Sequence, residues 1–158
     1  MEKKSFNLRN INYIGSMKRL KTHEIVMLAA MVVIIACDAS NKYISQADDN
    51  PALIKLGEDN FASYVKPEGG IVLVDFWASW CGPCRQLGPT ISGLATKLEG
   101  EVSVGKVDVD KNQVLSQKYG VQSIPTVIVF RDGQEVQRLV GLQSESSYLT
   151  AIEKARAR

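Results

Sequence analysis

The stretch "IVLVDFWASWCGPC", residues 71–84, decides how the rest of the chain is read. From Ile71 to Ala78 it is apolar at every position but one, and rich in β-branched and aromatic side chains. A run of this kind reads as a central strand covered on both faces. Its single acid, Asp75, then sits among apolar neighbours. A buried carboxylate without a partner is costly and tends to hold a proton, which makes Asp75 a functional candidate. The alternative is an acid facing solvent at a sheet edge. Immediately beyond the strand stand Cys81 and Cys84, where the pattern changes to helix, from about Gly82 to Leu98. Pro89 lies inside that helix and predicts a kink.

The position of the cysteine pair has a physical meaning. A helix N-terminus offers unpaired N–H groups and the positive end of the macrodipole, and both favour a thiolate over a thiol. Cys81 is therefore the candidate nucleophile. Cys84 follows about one helical turn later, where it can attack a mixed disulfide at Cys81. Two other readings remain beside this one. A structural zinc takes four Cys or His ligands, and the chain from Ala52 onward has only these two, so zinc would require a second molecule. The pair could also be a structural disulfide on an inert domain.

On either side, strand and helix patterns alternate. "ALIKL" (52–56) reads as a strand and "EDNFASYV" (58–65) as a short amphipathic helix closed by "PEGG". After the cysteine helix come a strand in "VSVGKVDVD" (102–110) and a helix in "NQVLSQKYG" (112–120) stopped by Gly120. "TVIVFRDGQEVQRLVG" (126–141) reads as two strands joined at Asp132-Gly133. A last helix begins with Ser144 as candidate N-cap. The order βαβαβαββα gives an α/β domain: parallel crossovers, then a hairpin, in a mixed sheet with helices on both faces.

Composition narrows the classes. The chain has 158 residues, 19 Lys and Arg against 17 Asp and Glu, and three cysteines. Near-balanced charge does not mark a nucleic-acid binder, and the cysteines do not form the framework of a small disulfide-rich secreted domain. Basic residues gather at the N-terminus, in "MEKK", at Arg9 and in "MKRLK". Behind them, "IVMLAAMVVIIA" (25–36) is wholly apolar. It is shorter than the roughly 20 residues a spanning helix needs and matches the apolar core of a secretory signal, residues 1–36, with Met17 as a candidate true start.

"VDFWASWCGPC", "VDVD", "YGVQSIPTVIVFRDG" and Val140-Gly141 occur in the order found in thioredoxins, and residues 52–158 resemble that family from end to end. The resemblance implies a thioredoxin fold and a thiol–disulfide oxidoreductase that needs no metal or organic cofactor. It implies that Asp75 is the buried acid handling the proton of the resolving thiol, Cys84. Lys106 matches the lysine near that acid; a plain surface lysine is the alternative. Pro125 matches the cis proline that faces the active disulfide. Trp80, Gly82, Pro83, Ile124 and Gly141, with Pro125, would form a shallow apolar patch that docks an extended segment of a partner, while Trp77 would belong to the core.

Ile34-Ile35-Ala36-Cys37 resembles the lipobox of bacterial lipoprotein precursors, which implies cleavage before Cys37 and lipid on its sulfur. An uncleaved anchor and cleavage elsewhere are the alternatives. Two or three acyl chains would anchor stably, at about 0.8 kcal/mol per buried methylene. "DASNKYISQADDNP" (38–51) then reads as a polar, flexible tether with a reach of roughly 20 Å, or else as an arm packed on the domain. The expectation is a monomeric, lipid-anchored oxidoreductase in the periplasm or at the extracytoplasmic face of a bacterial membrane. Its partners would be disulfide-bearing proteins and a membrane-embedded thiol electron donor. "GP" between the cysteines is the dipeptide of reducing thioredoxins, which favours reduction over an oxidase or isomerase role. A redox-inert tethered binding module is the reading from another class.

Overall fold

The structure is a computed structural model that describes residues 50–158, apart from Pro67 and Gly69, together with Met27, Ala30 and Met31, which are helical. The candidate start at Met17, the lipobox with Cys37, and the tether as far as residue 49 lie outside the described residues. Contacts divide the chain into Met1–Ser40 and Asn41–Arg158; the elements below belong to the second unit.

Five strands form one sheet: β1 (Leu53–Leu56), β2 (Ile71–Trp77), β3 (Val102–Asp108), β4 (Thr126–Arg131) and β5 (Gln134–Val140). Their spatial order is β1-β3-β2-β4-β5. β1 and β2 both pair parallel with β3, whereas β4 runs antiparallel to β2 and β5. The helices are α1 (Phe61–Tyr64), α2 (Gly82–Lys97), α3 (Gln113–Lys118) and α4 (Glu145–Arg156).

β2 lies at the centre, and strand periodicity sorts its side chains to two buried faces. Ile71 and Leu73 pack with Leu87 and Ile91 of α2 and with Tyr148 and Ile152 of α4. Val72, Val74 and Phe76 point the other way, toward Phe61 of α1 and Leu115 of α3. This explains the almost unbroken apolar run: a strand covered on both faces has no solvent side for polar residues. On the second face Phe61, Tyr119 and Phe130 interlock, with ring centroids 4.9 Å apart for Phe61–Tyr119 and 5.4 Å for Tyr119–Phe130. Such aromatic pairs contribute about 0.5–1.5 kcal/mol beyond the area they bury. They hold α1, which at four residues is far too short to persist alone.

The element ends depart from the sequence expectations for identifiable reasons. The first helix starts late because the Asn60 side chain organises a turn: its Oδ1 accepts the Gly57 N–H at 2.8 Å and its Nδ2 donates to the Lys55 carbonyl at 3.2 Å. β3 stops at Asp108, not Asp110, because Asp108 Oδ1 accepts the Asp110 N–H at 3.1 Å and turns the chain. Pro89 stands inside α2 without ending it. The Asp132-Gly133 turn has φ of 53° and 78°, the two positive values a tight hairpin connection needs. Ser144 caps α4, its side chain accepting the Ser147 N–H at 3.3 Å.

The tether expected through Pro51 ends sooner. Asn50 is fastened to α2: its Nδ2 donates to the Ser92 carbonyl (2.8 Å), Ser92 Oγ (2.9 Å) and Thr96 Oγ1 (3.0 Å). Its Oδ1 accepts the Ala52 N–H at 2.9 Å.

Candidate active site

The site forms where β2 ends and α2 begins. Cys81 is the N-cap of α2, with extended φ of −76° and ψ of 108°, and its Sγ accepts the Cys84 backbone N–H at 3.2 Å. A sulfur therefore occupies the place usually taken by an N-cap oxygen, facing an amide with no partner within the helix. Pro83 suits the first turn because its missing N–H is one the helix would not have used. Cys81 and Cys84 are joined in a disulfide with Cα atoms 5.2 Å apart. Both are almost covered, packed with Ala78 and flanked by Trp77, Val109 and Ile124.

The loop before β4 meets the disulfide. Cys81 Sγ lies 3.8 Å from the Ile124 carbonyl oxygen, and the Ile124–Pro125 peptide is cis. The Gly141 N–H donates to the Pro125 carbonyl at 2.8 Å, which ties the end of β5 to this loop. Gly141 adopts φ of 79°, a conformation costly for other residues. Ile124, Pro125 and Gly141 are thus brought to the cysteines from distant parts of the chain. Trp80 stands at the rim, 66% exposed, while Gly82 is half-buried and Pro83 exposed. Trp80, Val109, Val121 and Ile124 line a shallow groove of about 380 Å³.

Below this surface lies the buried acid. Asp75 sits on central β2, 2% exposed, paired in register with Lys106 on β3 and Val127 on β4. The edge-strand alternative is therefore not what the fold provides. Asp75 shares its sheet face with Ile71 and Leu73, the face covered by α2. It is two residues beyond Leu73, and Cys84 is one turn before Leu87, so both lie toward the same end of the β2–α2 layer. Burial pushes the Asp75 carboxyl up to about 7, with the Lys106 ammonium opposing the shift. Lys106 is not a surface lysine: it is 7% exposed, with its Nζ 3.7 Å from the centre of the Trp77 ring. A cation over an indole face is stabilised there, and Trp77 is itself half-buried beneath it. Lys106 and Trp77 line a cavity of about 450 Å³ together with Ser79, Asp108 and Asp110. Among the described residues no group of three or more His, Cys, Asp or Glu side chains could hold a metal ion.

Two residues of this neighbourhood had no role in the sequence reading. Asp110 accepts the Trp80 indole N–H through Oδ2 at 2.9 Å and so orients the exposed ring. The "VDVD" motif contains it, but nothing in one dimension pairs it with Trp80. Tyr148 on α4 is fully buried on the Asp75 face; by helical pattern alone it is one more core residue.

Comparison with known proteins agrees with this geometry. The family model for Thioredoxin matches residues 52–154. Thioredoxins of Staphylococcus aureus strains MW2 and COL are each 45% identical over 103 residues, covering 65% of this chain and 97% of theirs. The structure of a mutant thioredoxin from Halobacterium salinarum NRC-1 superposes with a TM-score of 0.61 at 37% identity, covering 68% of this chain and 94% of that one. With its Cys81–Cys84 disulfide at the head of α2, the chain belongs to the thioredoxin family of thiol–disulfide oxidoreductases.

Proposed function

We propose that this protein reduces disulfides of other proteins outside the cytoplasm, held to a bacterial membrane by lipid on Cys37. The observation that carries the chemistry is the Cys81 sulfur at the N-cap of α2, where the Cys84 N–H already points at it. In the dithiol form, the same N–H and the helix dipole favour the Cys81 thiolate. That thiolate attacks one sulfur of a substrate disulfide. The substrate S–S bond breaks, a mixed disulfide forms, and the displaced sulfur leaves as a thiolate that takes a proton from water.

Cys84 then loses its proton to the Asp75 carboxylate and attacks Cys81 Sγ. The internal disulfide forms, and the second substrate sulfur departs and is protonated. Two electrons have passed from the cysteine pair to the substrate. A carboxyl titrating near 7 suits this transfer, because it accepts and returns a proton at neutral pH. Lys106 supports the ionised state of Asp75. Trp80, Ile124, Pro125 and Gly141 hold the substrate segment, with Gly82 and Pro83 completing the patch.

Support for the reducing direction is Gly82-Pro83 between the cysteines and the lack of any histidine after His23. Support for export and anchoring is the basic start, the apolar run 25–36 and the lipobox-like Ile34-Ile35-Ala36-Cys37. In an oxidising compartment the pair needs re-reduction, so a membrane-embedded dithiol donor completes the cycle. Substitution Cys84→Ser tests the reading, since the Cys81 mixed disulfide can no longer be resolved. Substrate proteins should be captured covalently and released by reductant, and in cells the unaltered chain should be found mainly as the dithiol. A chain found mainly oxidised would make it an oxidase. Absence of captured partners would favour a redox-inert binding module.

A further inference from the structure

Among the described residues, two buried side-chain atoms make no hydrogen bond: Asp75 Oδ1 and the Tyr148 hydroxyl. Orphaned buried polar atoms are uncommon, and each demands a physical reason. These two share one face of the sheet. Asp75 projects from β2 into the layer occupied by Leu73, Leu87 and Val127, and Tyr148 enters that layer from α4. One orphan is an acceptor when ionised, and the other has a proton to donate. The carboxylate's charge also reaches the phenol: burial raises the phenol's pKa, the Gln143 backbone pulls it down, and Asp75 raises it again. The Gln143 backbone lowers the phenol's pKa as a hydrogen-bonding neighbour would, yet the hydroxyl makes no hydrogen bond of ordinary distance and angle.

We propose that Tyr148 is a positioning residue for the Asp75 proton, its hydroxyl donating to the ionised carboxylate directly or through one buried water. This rests on the role given to Asp75 above. A leucine or phenylalanine would fill the same apolar layer without a hydroxyl to desolvate. The tyrosine therefore gains its rationale from a carboxylate that must be ionised before Cys84 can give up its proton. In this picture Asp75 has a donor on each side. Lys106 acts from β3 and Tyr148 from α4. Val127 of β4 carries no charge, and the Cys81–Cys84 disulfide at the head of α2 does not titrate. When Asp75 takes the Cys84 proton, the phenol loses its charged acceptor, so the link strengthens and weakens with each half of the cycle.

The experiment uses the oxidised full-length chain, in which no turnover occurs. The carboxyl carbon of Asp75 is followed by NMR against pH, with Asp75→Asn as the assignment control. Tyr148→Phe keeps the ring and removes the hydroxyl. It should raise the Asp75 midpoint by about one pH unit, the effect of losing one hydrogen bond to a charged group. Tyr148→Leu should shift it in the same direction, and serves if the phenylalanine variant does not fold. In the reverse direction, Asp75→Asn should lower the titration midpoint of the Tyr148 phenol. A purely packing tyrosine would leave the Asp75 midpoint unmoved, even though the carboxylate's charge acts on the phenol in either case. An unmoved Asp75 midpoint in folded Tyr148→Phe overturns the proposal, whether or not the protein reduces disulfides. Loss of disulfide reduction with the shift intact would instead count against the functional reading.

Discussion

Substituting Asp75 by Asn should stabilise the protein, and the gain should depend on pH in a defined way. The carboxyl is 2% exposed and titrates near 7, against 3.8 for the unperturbed group. Folding thus raises its pKa, and the folded state holds the proton more tightly than the unfolded state. Below pH 3.8 both states are protonated and the acid exacts no pH-dependent penalty. Between 3.8 and 7 unfolding releases a proton, so stability falls as pH rises. Above 7 both states are ionised and the loss is complete. The interval is about three units, and each unit corresponds to about 1.4 kcal/mol, so the full loss is about 4 kcal/mol. Asparagine has the same size and cannot ionise, so its variant escapes this loss. The assay is urea unfolding of the oxidised chain and of oxidised Asp75→Asn between pH 4 and pH 8.5. Subtracting one curve from the other cancels the remaining titrations. The difference should climb through the interval and level off above neutrality. A difference flat in pH would refute the reasoning, because it would mean that Asp75 titrates alike in folded and unfolded chains.

Further outcomes concern packing and processing. Gly105→Ala should destabilise the fold by about 1–3 kcal/mol in chemical denaturation. An added Cβ there would overlap Leu56 Cδ1 and lie 2.9 Å from Leu56 Cγ and 3.3 Å from Tyr64 Cε1, and Leu56 is itself buried. Cys37→Ser should end incorporation of labelled fatty acid and release the protein from membranes; label that persists in the variant would remove the lipobox reading.

The central layer was legible because its physics is local. The run 71–78 reads as a strand covered on both faces, and Asp132-Gly133 as a tight turn, from neighbouring residues alone. Cys81 at a strand-to-helix boundary is a candidate nucleophile on sequence alone, beside the zinc and structural-disulfide readings. Element ends were less legible, since Asn60 and Asp108 set them with side-chain hydrogen bonds to backbone that no periodicity records. Depth was the hardest property to read. Lys106 is buried because Trp77 offers its ring face, and the polar tip of Tyr148 matters because β2 and α4 bring it to the Asp75 face. Both facts depend on which strands become neighbours, and the order β1-β3-β2-β4-β5 is a property of the whole sheet.

The fastening of Asn50 to Ser92 and Thr96 has a mechanical meaning. These residues lie 8 and 12 positions beyond Cys84 on one helix, or roughly 12 and 18 Å along its axis. Any pull transmitted through the N-terminal segment therefore reaches the domain far down α2 from the disulfide. The point where the N-terminal segment meets the domain and the reactive end are thus held apart along α2, so tension on that segment bears on Ser92 and Thr96 and leaves the cysteines and Trp80 unstrained.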